Sequence, residues 1–176
     1  TQAATAAVKK IMMVRPTHFE VRYAINPWMD PVSKPVNRPL AMEQWNKLKE
    51  TIEECGGEVH VMESENAPEW PDIVFSANAA VVRGNRAYLA NFLHPERKGE
   101  RAHYKQWFES NGFVTCGRTD IAFEGAGDAL WAGEKYNRLF VGVGPRTDIR
   151  ALGDIAIRLD DGSDFKVVGC KLIDPR

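Results

Sequence analysis

A chain that repeats one unit must stack the copies to build a core, and this chain repeats a short pattern. Phe75-Ser76-Ala77-Asn78-Ala79-Ala80 and Phe123-Glu124-Gly125-Ala126-Gly127-Asp128 each set a polar residue among very small neighbours. Each is followed by an apolar stretch, a polar turn (Gly84-Asn85 or Glu134-Lys135), an arginine and a second apolar strand, over 86–92 and 138–143. Each second strand leads into a polar junction with another arginine, Arg97 or Arg146. A period of roughly fifty residues is that of propeller-like repeats. Copies arranged around an axis converge at its centre, which predicts that Asn78 and Glu124 meet.

The apolar spacing fills in the unit. A buried strand is predicted over 10–14, then an irregular stretch over 17–39 whose prolines exclude a long regular element. Trp28 and Met29 argue for order there, since an exposed Trp would serve nothing. Met42, Trp45, Leu48, Ile52 and Cys55 fall at helical spacing, closed by Gly56-Gly57. Strands are predicted over 59–62 and 113–116, a strand end over 73–75, and hairpins over 79–92 and 128–143. A second helix is predicted over 98–110 with Tyr104, Trp107 and Phe108 inward. A third, over 146–159, turns Ile149, Leu152, Ile155, Ala156 and Leu159 inward, and a strand over 165–173 follows. Hairpin, helix, strand thus occurs twice in full, after a partial strand–helix–strand unit.

The bulk figures exclude several classes of partner. At 176 residues, 44% apolar and 27% charged, the chain suits one globular domain. A net charge of −1 gives no footprint for nucleic acid or an anionic membrane. No apolar run approaches the ~20 residues that span a bilayer. Residues 1–9 read as a disordered lead-in without the apolar core of a secretory signal. Cys55, Cys116 and Cys170 are odd in number and far apart, which predicts reduced, buried thiols in a cytoplasmic protein. None has the surroundings of a nucleophile.

Glu124 is the leading candidate for chemistry. Between Phe123 and Gly125-Ala126-Gly127 a carboxylate has little reason to be solvated, although a surface turn acid is the plainer alternative. Asp128 either bonds its own turn or serves the same site. Asn78 shares Glu124's context, and Asp72, after Pro71, either caps a strand start or faces the site. Arg97 and Arg146 recur near predicted helix starts, where the dipole disfavours a cation. That mismatch favours anion binding over plain solvation. Small neighbours let a ligand approach the backbone, and a carboxylate there suits a flat cation. Guanidinium comes first, because its N–H pairs match carboxylate oxygens two at a time. His18, His60, His94 and His103 have no metal-ligand spacing, so neither metal nor cofactor is expected. Gly125-Ala126-Gly127 lacks the lysine and following helix of a phosphate loop. The residues alone describe a cation site without a nucleophile–base pair.

Taken together, Ala24-Ile25-Asn26-Pro27-Trp28-Met29, Pro71-Asp72-Ile73-Val74-Phe75-Ser76-Ala77-Asn78-Ala79, His94-Pro95-Glu96-Arg97-Lys98-Gly99-Glu100 and Phe123-Glu124-Gly125-Ala126-Gly127-Asp128-Ala129-Leu130 resemble the guanidino-group-modifying enzymes. Dimethylargininases, arginine deiminases, amidinotransferases and arginine dihydrolases belong to that superfamily. The resemblance runs in order from Lys10 onward. It implies an α/β fold, a pentein-type propeller of ββαβ units with about three of its five blades in this chain. Residues 10–176 would then be the N-terminal portion of a single catalytic domain. The implied chemistry is attack by a cysteine on the guanidinium carbon, through a covalent thiouronium, with a histidine handling protons. By motif, Glu124 would grip the guanidinium and orient the histidine, with Asn78 beside it. Asp72 resembles a second gripping acid, Arg97 and Arg146 the arginines that bind the substrate α-carboxylate, and Asn26 a substrate-contacting loop residue. Asn78 departs from the Asp of many dimethylargininases and deiminases and agrees with the dihydrolase type and with some bacterial dimethylargininase-like members. The segment from Lys171 resembles the one just before the family's catalytic His motif, so the His and Cys are expected beyond this chain, and the chain alone is expected to be inactive. The expected partner is a small molecule (arginine, methylarginine or citrulline), together with a homo-oligomer or the C-terminal portion. An amidinotransferase and a non-catalytic pentein-fold binding protein are the alternatives.

Overall fold

The computed structural model describes residues 8–32, 35–133 and 136–173, and its elements follow the order read from the apolar spacing. Two compact units make up the chain, Thr1–Ser76 and Ala77–Arg176.

In the first unit, β1 (Lys10–Val14) and β2 (Glu58–Met62) pair in parallel, from Lys10 opposite Glu58 to Val14 opposite Met62. Parallel strands need a long crossover, and α1 (Arg38–Glu54) supplies it. The Asn37 side chain accepts from Leu40 N at 3.1 Å, which caps the helix start ahead of Pro39. Gly56, at φ +86°, ends it. Trp45 buries the inner face of α1, and the Arg15 guanidinium lies 4.9 Å from its ring centroid. The strand end expected over 73–75 is a 3₁₀ turn, Pro71–Val74, because Pro71 presets its first φ and Phe75 N closes onto Asp72 O. Trp28, expected to be buried, is 62% exposed.

The second unit holds both copies of the hairpin–helix–strand pattern. β3 (Ala80–Arg83) and β4 (Arg86–Leu89) form an antiparallel hairpin; α2 (Glu100–Ser110) then returns the chain so that β5 (Val114–Cys116) pairs in parallel with β4. β6 (Ala129–Ala132), β7 (Arg138–Val143), α3 (Arg150–Arg158) and β8 (Lys166–Lys171) repeat the same pairing. The β6–β7 turn at 134–135 lies outside the described residues. One core serves both copies: Val81, Tyr88, Phe123, Leu139, Val141, Ala151, Ile155 and Leu159 pack together. Among the described residues the strands form three separate sheets of two, three and three.

Three expectations are corrected by the structure. The third helix starts at Arg150 rather than 146, because Pro145 lies ahead and the Asp148 side chain accepts from Arg150 N at 2.8 Å. Ile149, ahead of that start, is 68% exposed instead of inward. The cysteines are not uniformly buried: Cys55 follows the end of α1 and Cys170 lies on the exposed face of β8, while only Cys116 packs partly against the core.

Candidate functional site

The two small-residue segments do meet, and their smallness serves each other. Asn91 and Phe123 exchange backbone hydrogen bonds at 2.8 and 3.0 Å, which sets the 124–128 segment beside the first copy. Asn78 Nδ2 then donates to the Glu124 carbonyl at 3.1 Å. A Cβ on Gly125 would stand 2.6 Å from the Asn78 carbonyl carbon and oxygen, and one on Gly127 2.5 Å from Asn78 Nδ2. Gly125 also has φ +61°, which an L side chain rarely adopts. Gly125 therefore admits the other copy's backbone and Gly127 its Asn78 side chain, where the sequence reading had them admit a ligand. Both copies turn here in the same way, with 3₁₀ turns at Ser76–Asn78 and Gly125–Gly127 leading into β3 and β6.

Glu124 is 3% exposed. Burial pushes its carboxyl above the ordinary carboxylate range, while the Arg146, Arg97 and His94 charges pull it down and Asp128 adds to the rise. Arg146 pairs with it, donating from Nη1 to Oε2 at 3.3 Å. The same guanidinium donates from Nη2 to Asp128 Oδ1 at 2.8 Å, and the Thr147 hydroxyl donates to Asp128 Oδ2 at 2.6 Å. Arg146 sits in the loop ahead of α3 with its side chain 46% exposed, so the helix-dipole mismatch expected of it does not arise.

Arg97 closes a 3₁₀ turn ahead of α2 and is buried instead of solvated. Its Nε and Nη2 donate to both oxygens of Glu100, at 2.7 and 2.8 Å, and its guanidinium carbon lies 4.4 Å from the Phe92 ring centroid. Nη1 faces Asn78 Oδ1 at 3.4 Å. Asn78, Glu124, Arg97 and Arg146 thus form one hydrogen-bonded group. The two remaining candidates belong to the first unit. Asp72 is 3% exposed and accepts from the Tyr23 hydroxyl at 3.0 Å; Asn26 is exposed, and its Oδ1 accepts from Trp28 N at 3.0 Å.

Sequence reasoning missed Glu100 and Thr147. Glu100 carries a signal, since an acid three residues after Arg97 at a helix start can pair with it. Thr147 carries none beyond adjacency to Arg146. Chemically, the group can seat a planar cation on two buried carboxylates and hold a proton on Glu124. It offers no thiolate. Cys116 Sγ donates to the Ala87 carbonyl at 3.6 Å, and burial pushes its pKa up. Among the described residues no group of His, Cys, Asp and Glu could hold a metal ion, and no helix is long and apolar enough to cross a membrane.

Comparison with known proteins bears on this geometry. The family described as "N,N dimethylarginine dimethylhydrolase, eukaryotic" matches residues 15–176. The bifunctional arginine dihydrolase/ornithine cyclodeaminase ArgZ of Synechocystis is 42% identical over 169 residues, which are 95% of this chain and 23% of that protein. The N(G),N(G)-dimethylarginine dimethylaminohydrolase of Mycobacterium tuberculosis is 38% identical over 172 residues, 98% of this chain and 53% of that protein. In structure, the N-terminal domain of ArgZ bound to its product superposes with TM-score 0.84 at 40% identity, over 95% of this chain and 59% of that one. The chain therefore spans between about a quarter and about half of these curated relatives.

Proposed function

This chain belongs to the N,N-dimethylarginine dimethylhydrolase family, and from that premise we propose that its full-length protein hydrolyses guanidino C–N bonds of arginine or an N-methylated arginine. The carrying observation is Glu124, a carboxylate 3% exposed that already holds a guanidinium nitrogen and has Asp128 bound to the same guanidinium. In this reading Glu124 grips the substrate guanidinium, with Asn78 at its side. Asp72 and Asn26 contact the substrate, and Arg146 with Nη1 of Arg97 receives its α-carboxylate. The thiol that attacks the guanidinium carbon is none of Cys55, Cys116 and Cys170. The thiol and its partner imidazole come from outside residues 8–173, and the three strand–helix–strand units belong to a five-unit pentein propeller. Thiols that form no disulfide fit a cytoplasmic protein.

Arginine is favoured over dimethylarginine. An amide at position 78 has donors as well as an acceptor and carries no charge, so it tolerates the carbonyl of a ureido product and allows a second hydrolysis to ornithine. The test is to incubate the full-length protein with L-arginine and with asymmetric dimethylarginine and quantify citrulline, ornithine and dimethylamine by mass spectrometry. Citrulline followed by ornithine from arginine is expected. Product from neither compound would sink the hydrolase reading, and arrest at citrulline would sink the double turnover.

A further inference from the structure

Asp128 is a buried acid at the end of a 3₁₀ turn, and a turn Asp ordinarily spends its oxygens on nearby backbone. Here only the backbone N–H closes the turn, onto Gly125 O at 3.1 Å. Both carboxylate oxygens reach eighteen and nineteen residues along, to Arg146 and the Thr147 hydroxyl. The loop that brings those partners is pinned by three backbone bonds: Gly142 N to Asp128 O at 2.7 Å, Gly144 N to Thr147 O at 3.1 Å, and Asp148 N to Ala122 O at 3.0 Å. Arg146 is held unevenly, at 2.8 Å from Asp128 and 3.3 Å from Glu124. A guanidinium is a rigid planar fork, so fixing one terminal nitrogen leaves rotation about that point as its main freedom.

We propose that Asp128 is the positioning residue for Arg146: it anchors Nη2, so that when a substrate guanidinium takes Glu124, Arg146 pivots on the anchor and presents its released nitrogen to the substrate carboxylate. Thr147 stops the Asp128 carboxylate from rotating. The inference rests on the hydrolase reading above and assigns to Asp128 the preference for guanidines that carry a carboxylate.

The test uses the full-length protein, L-arginine as substrate, and agmatine, which is arginine without its carboxylate, as competitor. Asp128→Asn is expected to raise KM for L-arginine about tenfold, the loss of one charge-assisted bond, with a smaller fall in kcat and no change in agmatine inhibition. In an Arg146→Ala background the same substitution is expected to add no further rise in KM, because it acts through Arg146. Equal losses for both ligands, additive effects, or a fall in kcat at constant KM would overturn the proposal. Should Asp128→Asn fail to fold, Thr147→Val must show a smaller rise confined to arginine, and its absence overturns the proposal equally. A wild type that turns over neither arginine nor dimethylarginine fails the hydrolase reading instead. Calorimetric titration of L-arginine and agmatine then decides Asp128's role by the same arginine-only loss.

Discussion

A carboxylate stripped of water is costly to ionise unless donors or cations replace the water. Glu124 has Arg146 at 3.3 Å on one oxygen, and burial still outweighs that help. Its folded pKa is raised, so the folded state keeps the proton to higher pH than the unfolded state does. The destabilisation therefore appears as pH climbs from the ordinary carboxylate range through the raised value, and is constant above it. Glu124→Gln is expected to be increasingly more stable than wild type across that window and inactive throughout, as read by urea midpoints and citrulline release. A stability difference that does not change with pH would show that burial is not the dominant influence. Asn78 behaves differently, because its amide joins the two copies. Asn78→Asp replaces a donor to the Glu124 carbonyl with an oxygen, and loss of such a bond costs about 1 kcal/mol or more. Arg97 gains a charged acceptor, which offsets part of this. The expected outcome is a modestly less stable full-length enzyme that accumulates citrulline; unchanged ornithine yield would remove Asn78 from the second step.

At the scale of elements, glycine divides into positions that neighbouring atoms fill and positions that nothing fills. Gly125→Ala forces a left-handed φ on an L residue and drives its Cβ into Asn78, so a loss of about 2 kcal/mol or more is expected. Gly153, exposed on α3 with nothing within 4 Å of its ideal Cβ, is the control. Gly153→Ala is expected to stabilise by about 0.8 kcal/mol through helix propensity alone; thermal melts of the pair check both signs. The same distinction explains what the sequence made legible. Helices and strands with clear apolar spacing came through within a few residues, since one buried face suffices to specify them. The start of α3 did not, because Asp148 decides it through a side-chain hydrogen bond that periodicity does not register. The 3₁₀ turn at Pro71–Val74 was likewise hidden, since an apolar run reads the same in a strand and in a tight turn.

For the whole molecule, the duplicated pattern was the most legible feature, and it correctly joined Asn78 to Glu124. The partners of the arginines were not legible, because Arg146 meets Asp128 only when the loop after β7 folds back along the 122–128 segment. Such pairing belongs to tertiary structure, and no local spacing announces it. Cysteine chemistry brings both kinds of evidence together. Thiol attack requires a thiolate that is accessible and stabilised by neighbouring charge. Cys116 is half-buried with its pKa pushed up by burial, ahead of the opposing pull of Arg158 and Arg86. Cys55 and Cys170 are exposed, at the end of α1 and on β8, and neither belongs to the group around Glu124. The full-length protein with Cys55, Cys116 and Cys170 all changed to Ser is therefore expected to keep its kcat for arginine. Removal of any remaining cysteine that reacts with a haloacetamidine probe is expected to abolish turnover. If the triple variant loses citrulline formation while its melting temperature holds, one of these three thiols is the nucleophile, and the assignment of the attacking group to residues outside 8–173 is wrong.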